Sequence, residues 1–228
     1  MNFCRPVCRL LLRPRIEGAQ HIPAEGPAII AANHLAFYDW LALSVATRRP
    51  ISFAVKEECF HRPGVRGKLM GNILRGCEQL PVDRTTLQGA ARALDASARV
   101  LREGRLLGVF PEGTHSATGR LHRGRVGALG VNALTTGVPV VPVGLTGTDR
   151  IRLRSLWRVW SDRPVVRVGA PMTFPRTGPG HPGHAALRQA TETVMRRISA
   201  LSGQEYVDEF ARQGTSGRAA VFPVEHGA

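Results

Sequence analysis

The sequence lacks any hydrophobic run long enough to cross a bilayer, since no stretch approaches the roughly 18 apolar residues that a membrane span needs. It also lacks, near its first residues, an apolar segment followed by a small-residue cleavage site, which a secretory signal would contain. We therefore expect a cytoplasmic protein, or one that lies on the membrane from the cytoplasmic side.

Cysteine is scarce and scattered. The four cysteines are Cys4, Cys8, Cys59 and Cys77. No Cys-x-x-Cys pair and no accompanying series of histidines is present, so a disulfide framework and the common zinc modules are excluded. The cysteines fit a reduced compartment, in which they act as small apolar side chains.

Acidic residues are few relative to basic ones. The chain has 17 Asp and Glu against 31 Lys and Arg, which gives a formal net charge of +14. Such an excess favours an anionic partner, and both nucleic acid and an anionic membrane leaflet meet that description. The excess is nearly all arginine, which genomic base composition also produces. Charge therefore suggests an anionic surface without choosing between the two.

A short apolar stretch, residues 28–32, leads into a polar corner that contains His34 and Asp39. If His34 leaves the end of a strand and Asp39 lies near the start of the next helix, the loop between them brings the two side chains together. A carboxylate that accepts from Nδ1–H fixes the tautomer and leaves Nε2 free to take a proton. A hydrogen-bonded structural histidine at a strand end remains the alternative.

The rest of the chain alternates apolar strands with helices of regular apolar spacing. This pattern predicts a single-domain α/β fold with a mixed, mostly parallel β-sheet flanked by helices. Residues 1–15 read as a basic amphipathic segment, 16–203 as the folded domain and 204–228 as a mobile tail. Further local expectations are a capping box of Thr85 and Gln88, a core-facing helix at 63–75, a small-residue helix against the sheet at 119–130, and a proline-containing edge or irregular strand at 138–143.

Four ordered blocks carry a resemblance to a known family. The chain has His34 with Asp39, Pro-Val-Asp-Arg at 81–84, Phe-Pro-Glu-Gly-Thr-His-Ser at 110–116, and Val-Pro-Val-Val-Pro-Val at 138–143. In this order they resemble the glycerolipid acyltransferases, specifically the 1-acylglycerol-3-phosphate O-acyltransferases with their HX4D motif. The resemblance runs from about residue 16 to 174 and implies a glycerol-3-phosphate acyltransferase-like fold for an acyltransferase domain at 16–203.

The resemblance implies a reaction in phospholipid biosynthesis. A fatty acyl group would pass from acyl-CoA or acyl carrier protein to the free hydroxyl of lysophosphatidic acid, with His34 as general base and Asp39 as its orienting carboxylate. The implied substrate-binding residues are Arg84, Glu112, Gly113, Thr114, His115 and Arg123. No metal or cofactor is expected, because these residues show no metal-ligand spacing and thioester transfer needs none. The implied setting is the anionic cytoplasmic face of the cell membrane, peripherally and without nucleic acid.

One position departs from the family pattern, because His115 stands where the family usually has arginine. A neutral imidazole does not hold a phosphate as a guanidinium does. Either Arg120, Arg123 or Arg125 replaces the missing charge, or the acceptor is a different lysolipid, an amino-acid lipid or a glycolipid. A basic binding protein without catalysis is the alternative from another class, and it would rest on the arginine- and tryptophan-containing stretch at 150–160.

Overall fold

The protein is described here from a computed structural model, which defines residues 9–10, 12–37, 39–83, 86–150, 163–178 and 182–211. Several sequence predictions lie wholly or partly outside these ranges. They are Arg84, the segment 1–15, the capping residue Thr85, the stretch 150–160 and the tail 204–228.

Strands and helices alternate through the described part of the chain. The strands are β1 (Arg15–Glu17), β2 (Ala28–Ala32), β3 (Ile51–Lys56), β4 (Leu80–Val82), β5 (Leu106–Val109), β6 (Leu121–His122), β7 (Val140–Thr146), β8 (Val165–Val168) and β9 (Tyr206–Val207). The α-helices are α1 (Asp39–Ala46), α2 (Gly64–Gly76), α3 (Leu87–Arg102), α4 (Ala128–Thr136) and α5 (His184–Ser202). Short 3-10 helices span Ala19–His21, Glu57–Phe60 and Thr148–Arg150.

A seven-stranded sheet organises these elements in the order β1-β8-β7-β2-β5-β3-β4. Its described pairings are parallel except for β7 with β8, which is antiparallel. The predicted α/β fold with a mixed, mostly parallel sheet flanked by helices is therefore confirmed. A small second sheet pairs β6 with β9.

The central strand β2 is buried on both faces, as parallel strands covered by helices are. Its alternate residues enter two separate hydrophobic clusters. Ile29 and Ala31 pack with residues of α3, α4 and α5, whereas Ile30 packs with residues of α1 and α2. Complete burial of one isoleucine side chain is worth about 1.5–3 kcal/mol, so this short stretch contributes strongly to the stability of a three-layer core.

The register of β2 and β5 brings the two polar corners together. The strands are parallel, and Ala31 lies opposite Val109. The residues that follow each strand therefore emerge side by side at the same edge of the sheet. The loop that contains His34 is in this way placed beside the loop that contains Glu112.

The strand expected at the edge of the sheet because of its prolines is in fact an interior strand. β7 pairs with β2 on one side and with β8 on the other. Pro142 is tolerated because it lies just before the first residue pair of β7 with β8, Val143 with Val168. There its carbonyl accepts a hydrogen bond from the Gly169 N–H (2.8 Å), and no donor is required of it.

The expected small-residue helix at 119–130 is also corrected. Residues before Ala128 form β6 and a loop, and α4 begins only at Ala128. The glycines permit close approach to helix α5 rather than to the sheet. A Cβ placed on Gly124 would lie 2.9 Å from atoms of Met195 and Thr191, and one on Gly130 would lie 3.0 Å from Thr191 Oγ1. Small-residue spacing indicates close packing without identifying the partner.

The described chain continues past the predicted boundary at residue 203. Tyr206–Val207 forms β9 and pairs with β6, and the backbone N–H of Arg123 donates to the carbonyl of Glu209 (3.0 Å). Residues 204–211 therefore pack on the domain and do not belong to the predicted tail. Loss of helical periodicity after Gly203 marked the end of a helix, not the end of the domain.

Two further local expectations differ from the structure. The residue that caps α3 is Thr86, whose hydroxyl accepts from the Gly89 N–H (2.9 Å), one position beyond the predicted Thr85. On α2, Val65 is 85% exposed and Leu69 is 60% exposed, so this part of the apolar face is not core. Across the described ranges, no helix combines the length and the apolar content needed to cross a bilayer.

Candidate active site

The first polar corner joins His34 to Asp39. Nδ1 of His34 lies 2.8 Å from Oδ2 of Asp39, whose side chain is fully buried, whereas the imidazole is 15% exposed. Because the carboxylate accepts from Nδ1–H, the imidazole presents Nε2 as its basic nitrogen. Nε2 has no hydrogen-bond partner in the part of the chain that the structure describes, so it is available to take a proton.

The Asp39 carboxylate is hydrogen-bonded to the backbone of the loop that connects it to His34. Its Oδ2 also accepts hydrogen bonds from the backbone N–H groups of Leu35 (2.6 Å) and Ala36 (2.9 Å). Asp39 begins helix α1, where an acidic residue in the first turn interacts favourably with the helix dipole. A separation of five positions does not by itself bring the side chains of His34 and Asp39 into contact. The contact forms because the loop between them turns back.

The second corner holds the backbone of His34. The His34 N–H donates to Oε1 of Glu112 (3.0 Å), and the His34 carbonyl accepts from the backbone N–H of Ser116 (2.8 Å). Both contacts follow from the parallel register of β2 and β5. The residue with the basic nitrogen is thus anchored at its ring by one corner and at its backbone by the other.

Glu112 is a buried carboxylate that links two loops. Its Oε2 accepts from the backbone N–H of His122 (3.0 Å), while Oε1 accepts from that of His34. Loss of hydration raises the pKa of Glu112 to about 7, although the two backbone hydrogen bonds act in the opposite direction. Glu112 is therefore a bridge between the loops, and its charge depends on pH near neutrality.

The imidazole of His34 lies between two rings. Phe110 stacks on it with ring centroids 3.9 Å apart and planes inclined by 7°, and Phe53 stacks behind Phe110 at 5.0 Å. On the other side His115 lies at 4.0 Å with its plane tilted by 40°. These contacts restrict the rotation of the His34 ring, because a swing of the ring would drive it into one neighbour or the other.

His115 is neutral at physiological pH. Loss of hydration where it packs on the site, together with the neighbouring His34, lowers its pKa to about 4. Its ring therefore acts as a stacking partner and carries no positive charge. His115 therefore does not supply the positive charge of the arginine that the family usually has at this position.

Gly113 and Thr114 complete the turn after Glu112. Gly113 has φ 75°, a left-handed conformation that favours glycine, and its N–H donates to the carbonyl of Phe110 (3.0 Å). A Cβ at this position would lie 3.0 Å from Cδ of Arg125. Thr114 follows and is half-buried. The turn therefore lies directly against an arginine side chain.

The predicted arginines have different surroundings. Arg123 is paired with Asp208, with Nε 3.3 Å from Oδ1, and Arg84 lies outside the described residues. The sequence contains no signal that separates Arg123 from Arg125, because both follow the same loop at two-residue spacing. Their different partners come from the segment 204–211, which the sequence had assigned to a tail.

Asn33 is a positioning residue that the sequence analysis missed. Its amide Oδ1 accepts from the N–H of Leu145 (2.7 Å), and its Nδ2 donates to the carbonyl of the same residue (2.9 Å) and to Oε1 of Gln204 (2.7 Å). It thereby fixes the start of the loop to strand β7. Its place immediately before His34 was the available signal.

The fold is α/β, and a buried carboxylate paired with a histidine lies where its parallel strands end. These features define a class of protein that holds a basic imidazole at the carboxyl edge of its sheet. The chain belongs to the acyltransferase family, because the pattern of the family described as Acyltransferase matches residues 13–146. The resemblance seen in the sequence is therefore confirmed.

Named relatives agree with this assignment. The chain is 31% identical over 143 residues to a 1-acyl-sn-glycerol-3-phosphate acyltransferase of Borreliella burgdorferi, covering 62% of this chain and 54% of the relative. It is 32% identical over 137 residues to a chloroplastic enzyme of that name from Arabidopsis thaliana, covering 60% and 36%. This chain thus spans about half the length of the first relative and about a third of the second.

A solved structure shows the same fold. The crystal structure of the 1-acyl-sn-glycerophosphate acyltransferase of Thermotoga maritima superposes with a TM-score of 0.60 at 26% identity. The match covers 89% of this chain and 78% of that one.

Proposed function

We propose that this protein is an O-acyltransferase that moves a fatty acyl group from a thioester to the free hydroxyl of lysophosphatidic acid. The observation that carries the proposal is the contact of His34 Nδ1 with Asp39, which leaves Nε2 as a base at the edge of the sheet. The names of the relatives support the choice of acceptor.

In the proposed reaction the acceptor hydroxyl is the nucleophile. Its oxygen attacks the thioester carbonyl as Nε2 of His34 takes the hydroxyl proton, a step worth about 10²–10⁴-fold. The carbon–sulfur bond then breaks, the ester forms, and the proton passes from the imidazolium to the departing thiolate. Asp39 stabilises the imidazolium between these two transfers.

The donor is proposed to be acyl-CoA or acyl carrier protein, and no metal or cofactor takes part in the proposed steps. Apolar side chains close to the rings at His34 offer a surface for the acyl chain. Half-buried members of the cluster that includes Phe53 include Leu41, Val55, Cys59, Met70, Ile73 and Phe110. They lie between the sheet and the helices on the side of α1 and α2, so an acyl chain that lies along them stays out of water.

We further propose that the protein works at the cytoplasmic face of the cell membrane as a peripheral protein. Val65 and Leu69 are exposed on one face of α2, since residues four apart share a helix face. Arg62 and Lys68 are exposed beside them, and the whole chain has a net charge of +14. An exposed apolar pair flanked by cations matches an anionic leaflet, and sedimentation with vesicles that contain phosphatidylglycerol measures this binding.

The test of the proposed reaction is His34→Ala. With lysophosphatidic acid and either donor, the variant should lose about 10²-fold or more of the transfer rate, as measured by mass analysis of the product. His61→Ala is the matched control, because His61 is an exposed histidine outside the site. Equal thermal unfolding of the two variants would show that the fold is intact, and a His34→Ala variant as active as the control would contradict the proposal.

A second candidate acceptor is a lysolipid with another headgroup, an amino-acid lipid or a glycolipid. The observation that favours it is His115, which is neutral where the family usually has a cation. The same assay with a panel of acceptors separates the candidates. We expect lysophosphatidic acid to give the highest kcat/KM. A higher value for a lipid with an uncharged headgroup would identify that lipid as the acceptor instead.

A further inference from the structure

The acceptor site needs a cation that His115 does not supply. If the acceptor is lysophosphatidic acid, as proposed above, its phosphate must be held close to the turn of Gly113 and Thr114. His115 is neutral, and its ring contacts that of His34 at a tilt. Among the residues that the structure describes, the candidates for this charge are the arginines of the neighbouring loop, Arg120, Arg123 and Arg125.

Two arginines of the neighbouring loop already have carboxylate partners. Arg120 Nε lies 3.2 Å from Oε2 of Glu205, and Arg123 Nε lies 3.3 Å from Oδ1 of Asp208. Each of these charges is offset by its neighbour. A phosphate would have to compete with an acidic side chain at either position.

Arg125 differs from both, because no carboxylate in the described part of the chain pairs with its guanidinium. Its backbone N–H donates to the carbonyl of Pro111 (2.8 Å), which fixes it beside the second polar corner. Its side chain lies along the turn, so a Cβ on Gly113 would come within 3.0 Å of its Cδ and 3.1 Å of its Nε.

The surroundings of Arg125 favour an anion. The side chain is half-buried, and the loss of hydration lowers the pKa of its guanidinium, which nevertheless remains charged. The guanidinium carbon lies 5.2 Å from the ring centroid of Phe210, and those of Arg123 and Arg188 lie 5.3 Å and 5.9 Å from the same centroid. A partly dehydrated cation without a counter-ion is costly, and an incoming phosphate removes that cost.

We propose that Arg125 binds the phosphate of the acceptor and replaces the guanidinium that the family usually has at position 115. This proposal rests on the proposed function for the identity of the acceptor. Arg125 is a specificity-determining residue in it: the guanidinium grips the phosphate with two parallel N–H donors, while His34 acts on the hydroxyl. Gly113 is favoured as glycine by its φ of 75°, and a Cβ there would also displace the Arg125 side chain slightly.

The first experiment compares Arg125→Gln on two acceptors, lysophosphatidic acid and monoacylglycerol, which lacks the phosphate. The variant should lose about tenfold or more in kcat/KM with lysophosphatidic acid, mainly through KM, and clearly less with monoacylglycerol. Arg125→Lys keeps the charge and should recover part of the loss. Arg120→Gln is the matched control, because it removes an exposed, paired guanidinium from the same loop.

Two kinetic results would overturn the proposal. One is an equal loss on both acceptors, which would assign Arg125 to the fold rather than to the phosphate. The other is a selective loss in Arg123→Gln with none in Arg125→Gln, which would place the phosphate at Arg123. Thermal unfolding of each variant shows whether the fold is retained.

A binding measurement keeps the proposal separate from the proposed function. Glycerol 3-phosphate is titrated calorimetrically into the unmodified protein, Arg125→Gln and Arg120→Gln. Binding about tenfold weaker in Arg125→Gln alone supports the phosphate site even if no acyl transfer is found. Equal binding in all three proteins, or none to the unmodified protein, overturns it whatever the outcome of the transfer assay.

Discussion

Asp39 and Glu112 are two fully buried carboxylates that hold the same residue in different ways. A single oxygen of Asp39, Oδ2, accepts hydrogen bonds from three donors, one of which is the ring of His34. Glu112 gives one oxygen to the backbone of His34 and the other to the backbone of His122. One carboxylate therefore orients the ring that we propose as the base, and the other joins two loops.

We expect this difference to give Asp39 a role in the reaction and Glu112 a role in holding the structure together. A carboxylate on the ring affects the tautomer and the imidazolium, so its loss acts on kcat. A carboxylate on two backbone N–H groups affects where the loop lies, so its loss acts first on stability. Substitutions that keep the size of each side chain distinguish the two roles most cleanly.

Asp39→Asn should have the largest effect. The ring of His34 and two backbone N–H groups donate to the same oxygen of Asp39, so an amide oxygen in that place keeps these contacts but is neutral and stabilises the imidazolium less. We expect kcat for acyl transfer to fall by about 10²-fold or more with little change in KM. Steady-state kinetics measure this, and a variant with kcat within about threefold of the unmodified protein would refute the role of Asp39.

Glu112→Gln should have a smaller effect on rate and a clear effect on stability. One of its two backbone donors, His34 or His122, then faces an NH₂ group and loses its acceptor. We expect the free energy of unfolding in urea to fall by about 1–3 kcal/mol, with kcat reduced about tenfold or less. Glu57→Gln, at an exposed site, is the control. A larger loss of rate than in Asp39→Asn would reverse the assignment of the two carboxylates.

The pH dependence of stability tests the role of Glu112 separately. Burial raises the pKa of Glu112 from 4.5 to about 7, so between these values the folded state keeps a proton that the unfolded state has lost. The stability that this proton provides is complete below pH 4.5 and is lost as the pH rises through 7, by up to about 3 kcal/mol. Urea unfolding across this range should show a shallower decline for Glu112→Gln, and parallel curves would show that Glu112 does not titrate there.

His115→Arg should have the smallest effect. The new guanidinium restores the usual family residue, but Arg125 already faces the turn, so one more cation adds little. We expect kcat/KM for lysophosphatidic acid to stay within about threefold of the unmodified value or to rise modestly. A loss of more than about tenfold would mean that the stacking of His115 on His34 is itself required.

The strands and long helices could be predicted because their signals are local. Val165–Val168 was predicted with its exact limits, and the helix that begins at His184 within one residue, since an apolar strand and an amphipathic helix are each recorded in their own residues. The interior position of β7 was missed because a proline is compatible with an interior strand when its neighbour requires only an acceptor. The role of residues 204–211 was missed because their partners lie about 85 residues earlier in the chain.

The sequence by itself determined the fold class, the pairing of His34 with Asp39 as a hypothesis and the missing cation at 115, because each depends on residue types at short separations. Only the tertiary structure decided that the second corner anchors the backbone of His34. It alone also decided that Arg125 lies beside the turn with no carboxylate partner among the described residues, while Arg120 and Arg123 are paired. These facts depend on strand register and on contacts between distant segments. They cannot be predicted from residues that are neighbours in the sequence.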